Sequence, residues 1–266
     1  MRFTKMQGCG NDYLYVYGEV PENAGDLSHR LSDRHFGAGS DGMIFITPSE
    51  SADFCMRIFN ADGSEAKMCG NGIRCVGKYV YDKGHTDKTV LKIDTLSGVR
   101  TLRLHVEDGS VKSASVDMGR ADAGAELALS LDGGTIRCTP VSVGNPHAVV
   151  FADDMSRVPV DVLGPEIETH EAFPGRVNVE FVQVLSAGAL RMCVWERGSG
   201  ITLACGTGAC AAAAAAVKKG FCPASCPITV ILDGGELEIT VEEDGQVTMS
   251  GPAETVYEGE ILKINR

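Results

Sequence analysis

The sequence predicts an α+β chain of two pseudo-symmetric domains, each a curved, mostly antiparallel sheet wrapped around a central helix. Three observations carry this expectation. Two octapeptides, MCGNGIRC at 68–75 and ACGTGACA at 204–211, place Cys69 and Cys205 136 positions apart, close to half of the 266 residues. Runs of alternating apolar and polar residues, rich in β-branched side chains, fill both halves. Each octapeptide leads into a helix-permissive segment, and the second of these is alanine-rich.

The repeat extends upstream of the cysteines. Met56-Arg57-Ile58-Phe59-Asn60 falls on Met192-Cys193-Val194-Trp195-Glu196 at the same offset, and Phe45 falls on Phe181. Gly10-Asn11-Asp12 matches Gly144-Asn145-Pro146 at an offset of 134. Matches in one order at nearly one offset indicate an ancient duplication. The expected division is a first domain over 1–118, a second over 119–250, and a final strand within 251–266 returning to the first. A motif present in both halves is then expected near a pseudo-twofold axis, with an active site in the cleft between the domains.

Period-two patterning places strands near 2–6, 12–17, 42–47, 54–59, 89–95, 99–106, 111–117, 136–143 and 147–151, then 177–185, 190–195, 227–232, 236–242, 246–250 and 255–264. Asp26 before Leu27, Leu31 and Arg34 reads as a capped helix ending near Gly37. A weaker helix over 161–170 is expected to break at Pro165. Residues 71–82 and 207–219 read as the helices behind the two cysteines, each stopping before a glycine. Ala211–Ala216 has no bulk on any face, which predicts a helix sheathed closely by sheet. The Gly-, Ala- and Asp-rich stretch 122–134 reads as a linker.

Composition excludes several classes. A net charge of −12 disfavours nucleic acid and anionic membrane as partners. No window nears ~18 apolar residues, so no membrane span is expected. The N-terminus lacks the apolar stretch and small-residue site of a signal peptide, which favours the cytoplasm. Ten cysteines fall short of the ~8–10% of small disulfide scaffolds. No C-x-x-C occurs, and a metal site is not expected from these spacings. Cys55, Cys138 and Cys193 in strands, and Cys75 and Cys210 in helices, read as packing residues.

Cys69 and Cys205 read differently. Each precedes Gly-x-Gly and then a helix, where free backbone N–H groups and the helix dipole favour an anion. A thiol placed there is expected to ionise more easily than the ordinary ~8.5. The glycines open the same N–H groups to a substrate carboxylate. Two such motifs suit cofactor-free inversion of an α-carbon: one thiolate removes the proton and the opposite thiol supplies another.

These residues resemble the diaminopimelate epimerase family, over almost the whole chain. The resemblance rests on GCGNDY at 8–13, NADGSEAKMCGNGIRC at 60–75, GNPHAV at 144–149, NVEFV at 178–182, WERGSG at 195–200, LACGTGACA at 203–211 and GPAETVYEG at 251–259. It implies interconversion of LL- and meso-diaminopimelate, in lysine and peptidoglycan-precursor biosynthesis, with no cofactor. It implies Cys69 and Cys205 as the acid/base thiols, and Asn11, Asn60, Asn145, Asn178, Glu196 and Arg197 as substrate-binding side chains. Gly70-Asn71 and Gly206-Thr207 would form the backbone cradle, and His147 and Glu196 would tune the thiols. Tyr257 would lie at a homodimer interface. Where some members carry a substrate-touching glutamine, this chain has Gly42.

Other readings remain open from the residues alone. A related racemase or epimerase of another amino acid would keep the two thiols, though Asn71 and Arg197 argue for a substrate with a second charged end. A thiol-based metal-binding or redox protein would use the same cysteines as ligands or as a disulfide. A cysteine hydrolase with His147 as base leaves the second cysteine unexplained.

Overall fold

A computed structural model describes residues 1–262. The chain forms two compact units, one from Met1–Val116 with the segment beginning at Gly251, the other from Asp117–Ser250. The elements run in order as β1 (Arg2–Gly8), β2 (Asn11–Tyr17), α1 (Ala24–Ser32), β3 (Gly42–Pro48), β4 (Phe54–Asn60), β5 (Glu65–Ala66), α2 (Gly70–Asp82), β6 (Val90–Asp94), β7 (Arg100–Glu107) and β8 (Ser110–Arg120). There follow β9 (Asp122–Ala123), β10 (Leu127–Leu131), β11 (Gly134–Ser142), β12 (Pro146–Phe151), a 3-10 turn (Met155–Arg157), α3 (Val160–Glu168), β13 (Asn178–Ser186), β14 (Ala189–Glu196) and β15 (Gly200–Thr202). The last are α4 (Gly206–Lys218), β16 (Pro227–Leu232), β17 (Gly235–Val241), β18 (Gln246–Pro252) and β19 (Glu254–Glu260).

Both units follow one topology. In the first, β1–β2 and β3–β4 are antiparallel, while β2–β3 and β4–β6 are parallel. In the second, β11–β12 and β13–β14 are antiparallel, while β12–β13 and β14–β16 are parallel. Parallel neighbours need a crossover, and here the crossovers are helices: α1 and α2 in one unit, α3 and α4 in the other. The register repeats as well. Phe45 faces Arg57, and 136 positions on Phe181 faces Cys193. Ile58 faces Ala66, as Val194 faces Thr202.

Each sheet therefore has two apolar faces. In the first unit Leu27 and Leu31 of α1 pack on Leu14, Met43, Phe45 and Phe59, while α2 packs against β1, β2, β7 and β19. In the second, Ile167 of α3 packs with Val150, Val179 and Phe181, and α4 packs against β11, β12, β13, β14, β16 and β17. Ala209–Ala216 is buried throughout, so the all-small helix is sheathed as its composition predicts.

Several expectations are corrected. Residues 122–134 are no linker: β9 pairs with β11, and β10 forms a hairpin with β11. Asp26 does not cap α1, which starts after Asn23 without a side-chain cap and ends at Ser32. The following turn is held by Asp33, whose Oδ1 accepts from the backbone N–H groups of His35 and Phe36 at 2.7 and 2.8 Å. Pro165 lies inside α3 without breaking it. It withholds one backbone donor, and burial of Gly164 and Ile167 against the sheet outweighs that loss. Cys55 and Cys193 are half-buried, whereas Cys75, Cys138 and Cys210 are core residues. The strand expected at 255–264 ends at Glu260, and positions 263–264 lie outside the described residues.

Candidate active site

In the first unit Cys69 is the N-cap of α2. Its backbone is extended and its Sγ accepts the Gly72 N–H at 3.3 Å. A helix leaves its first N–H groups without intrahelical partners, and a sulfur can take one of them. The thiol also donates to Asn11 Oδ1 at 3.3 Å. The Asn11 amide donates in turn to Asp41 Oδ2 at 2.9 Å, and Arg34 pairs with both Asp41 and Asp12. Tyr13, two positions past Asn11, lies beside the Asn11 and Cys69 side chains; burial, then the Cys69 charge, pushes its phenol well above the usual range. Asn71 is buried beside the cap, and its Oδ1 has no partner among the described residues. Asn60, at the end of β4, holds the Ala61–Ser64 turn through Ser64 Oγ at 3.1 Å.

In the second unit Cys205 caps α4 in the same way, its Sγ accepting the Gly208 N–H at 3.4 Å. Thr207 Oγ1 lies 3.6 Å from the sulfur, and Asn145 Nδ2 donates to Thr207 Oγ1 at 3.2 Å. Asn145 Oδ1 meets His147 Nε2 at 3.0 Å, and His147 Nδ1 meets Glu180 Oε1 at 2.7 Å. Asn178 bridges β12 and the 196–200 turn: its amide donates to Pro146 O at 3.2 Å, and its Oδ1 accepts the Arg197 N–H at 2.9 Å. That turn is braced by Glu168, which accepts from Trp195 Nε1 at 2.7 Å and from the Gly198 N–H at 3.1 Å. The Arg197 side chain is exposed and donates to Gly175 O, and Glu196 accepts the Thr202 hydroxyl.

A helix start is expected to lower a thiol, but at Cys205 the opposite holds. Burial pushes this thiol well above its ordinary range, and the Glu196 and Glu180 charges push the same way. The Thr207 hydroxyl and the Gly208 N–H pull it down by less. One N–H and a helix end do not offset removal from water with two carboxylates facing the sulfur.

Within each unit the structure gathers the predicted residues unevenly. Cys69, Asn11 and Asn71 meet at the start of α2, while Cys205, Thr207, Asn145 and His147 meet at the start of α4. Asn60 and Asn178 hold the turns beside them. Tyr257 stands apart on β19, 41% exposed, donating to Ala38 O at 3.2 Å. Gly42 is closed to any side chain, since a Cβ there would stand 2.2 Å from Phe59 O and 2.9 Å from the Tyr13 ring. Sequence reasoning missed Glu180 and Tyr13. Tyr13 is the 134-offset counterpart of His147, and Glu180 is a lone carboxylate within an apolar strand run; each was a readable signal.

Among the described residues no group of three or more His, Cys, Asp or Glu side chains is arranged to hold a metal ion, and no helix is long and apolar enough to cross a membrane. No disulfide joins any of the ten cysteines, all of which lie among the described residues.

The sequence model of the diaminopimelate epimerase family matches residues 3–123 and 139–256. A diaminopimelate epimerase of Acetivibrio thermocellus is 49% identical, with 98% of each chain covered, and one of Phocaeicola vulgatus is 50% identical, again over 98% of each. Among solved structures, a Bacillus anthracis phenazine biosynthesis protein of the PhzF family superposes with a TM-score of 0.80 at 15% identity, covering 99% of both chains, a likeness of fold alone. With half the sequence shared over nearly its whole length, the chain belongs to the diaminopimelate epimerase family.

Proposed function

We propose that this chain interconverts LL- and meso-2,6-diaminopimelate, serving lysine and peptidoglycan-precursor biosynthesis, with Cys69 and Cys205 as its acid/base pair and no cofactor. The observation that carries the reading is the duplicated cysteine N-cap, Cys69 on α2 and Cys205 on α4, in a chain of this family. One sulfur takes the α-hydrogen as a proton, leaving its electron pair on the α-carbon and carboxylate. The other sulfur gives its proton to the opposite face, so the two thiols finish with their protonation states exchanged.

Helix-start N–H groups at Gly70-Asn71 and Gly206-Thr207 supply donors for the carboxylate charge that grows in the transition state. The buried Asn71 Oδ1 supplies an acceptor for the substrate. Asn11, Asn60, Asn145 and Asn178 offer both senses of hydrogen bond. Arg197, exposed on its turn, suits the distal carboxylate, and Glu196 suits an ammonium. A substrate ammonium beside Cys205 would offset the carboxylates that oppose its ionisation, so the thiolate forms when substrate is bound. His147 and Glu196 tune the thiols in this reading. The chain acts in the cytoplasm as a homodimer with Tyr257 at the contact.

The test is turnover of LL-diaminopimelate in deuterated buffer with no added metal or cofactor. Inversion with deuterium entering the product's α-position is expected. Equal activity with Cys69 and Cys205 both changed to alanine would overturn the two-thiol assignment.

A further inference from the structure

Glu180 and His147 face each other on adjacent parallel strands, β13 and β12, and neither side chain reaches solvent. Their contact, Nδ1 to Oε1 at 2.7 Å, is the far end of a chain of hydrogen bonds leading to Cys205. The sense of each link follows from its neighbour. Asn145 Nδ2 donates to Thr207 Oγ1, so Asn145 Oδ1 faces His147 and must accept from Nε2. Having accepted from Asn145, the Thr207 hydroxyl has its own hydrogen free for the Cys205 sulfur 3.6 Å away. From His147 Nε2 onward the chain therefore donates toward the sulfur, the sense that stabilises a thiolate.

That sense has Nε2 as the donor to Asn145, and Glu180 holds the ring in place from its other nitrogen, Nδ1. Glu180 Oε2 is buried with no partner among the described residues. The carboxyl is also held against the cap itself. A Cβ on Gly208 would stand 2.7 Å from Glu180 Oε1, so the first turn of α4 packs directly on it, and the Gly208 N–H is the donor to Cys205.

We propose that Glu180 is a positioning residue for Cys205: by holding His147 Nδ1 it fixes the ring so that Nε2 meets Asn145, and so aims Asn145 and then the Thr207 hydroxyl at the sulfur. The proposal rests on the reading of Cys205 as an acid/base thiol. The ionisable groups facing that sulfur are Glu196 from β14 and Glu180 from β13, with His147 from β12 joined through Asn145.

The experiment follows iodoacetamide alkylation of Cys205 in the full chain against pH, resolved by peptide mass spectrometry. Glu180→Leu leaves the imidazole free to turn and is expected to slow alkylation near pH 8 about tenfold, the equivalent of one pH unit in the Cys205 profile. Glu180→Gln can donate its amide N–H to Nδ1, preserves the chain and stays within about twofold of the parent. Thr207→Val alone should match the slowing by Glu180→Leu, and the double variant should be no slower than Thr207→Val. Acceleration by both Glu180 variants would mean that the residue acts only as a negative charge, and the proposal falls. It falls too if Thr207→Val leaves the profile unchanged, a result that stands whether or not Glu180→Leu folds. Deuterium exchange of LL-diaminopimelate is measured on the same parent sample. No exchange with the alkylation pattern intact overturns the functional reading and leaves the positioning role standing.

Discussion

Cys69 and Cys205 accept the same bond in their own domains, from the N–H three residues on, at 3.3 and 3.4 Å. The cap is structural as well as chemical, so removing either sulfur has two separable consequences. Losing an N-cap costs about 1 kcal/mol, or roughly 2–4 °C in melting temperature for a chain of this size. Losing a positioned acid or base costs about 10²–10⁴ in rate. Cys69→Ala and Cys205→Ala should therefore melt within a few degrees of the parent yet lose about a thousandfold in kcat. A variant that keeps parental α-hydrogen exchange removes that cysteine from the mechanism.

The environment of Cys205 sets a second expectation, on pH. Burial and the facing carboxylates raise this thiol, so below its shifted value it remains protonated. In the substrate-free protein near pH 7.5, iodoacetamide should react with Cys205 more slowly than with the exposed Cys226. The difference should narrow only as pH climbs past the ordinary thiol range. Equal rates at neutral pH would show that burial does not hold Cys205 protonated.

What the sequence disclosed follows from how each feature is encoded. The duplication is a spacing, and spacing survives translation into register: Phe45 and Phe181 face partners at the same offset. The sheathing of α4 was legible because six consecutive alanines leave no bulky face. Glu180 was not legible as the partner of His147, because the two meet only when β12 and β13 align in parallel across α3. Nor did any local pattern show that Pro165 would be carried through α3, since tertiary burial decides it. At Cys205 the expected thiol shift is reversed for a related reason: a helix start is written in sequence, whereas the desolvation opposing it depends on the packed domain.

The two asparagines repeated at offset 134 diverge in what lies behind them. Asn11 accepts from Cys69 and is backed by Asp41 and Tyr13, while Asn145 is backed by His147 and Glu180. Exchanging the backing should affect one thiol at a time. Tyr13→Phe removes a phenol from Cys69 alone, so the alkylation profile of Cys69 should move while that of Cys205 stays fixed. Parallel movement of both profiles would contradict separate environments.

Gly42 tests whether glycine at the start of β3 is a packing requirement. A Cβ would stand 2.2 Å from Phe59 O and 2.9 Å from the Tyr13 ring, so β3 must shift away from β4 to admit one. Overpacking of this kind costs about 1–3 kcal/mol. Gly42→Gln should lower the melting temperature by roughly 2–10 °C on the usual scaling. Because Tyr13 lies beside Cys69, the same variant should also lower activity. Unchanged stability would mean that the β3–β4 edge yields easily and that glycine there is not a packing requirement.

Cys75 and Cys138 should weaken the fold in alkali. Burial is the main cause at both, and each thiol is raised from 9.0 to about 11. Below the unfolded value both states are protonated and nothing is lost. Between that value and about 11 the unfolded chain releases protons that the folded one retains, so folding weakens as pH rises. Each thiol contributes at most about 2–3 kcal/mol over that window, at 1.36 kcal/mol per unit. Chemical denaturation at pH 8 and pH 11 should show the decline. Cys138→Ala, losing some stability at pH 8 through its cavity, should then lose less than the parent on the way to pH 11. If parent and variant decline in parallel, ionisation of Cys138 is not what weakens the fold in alkali.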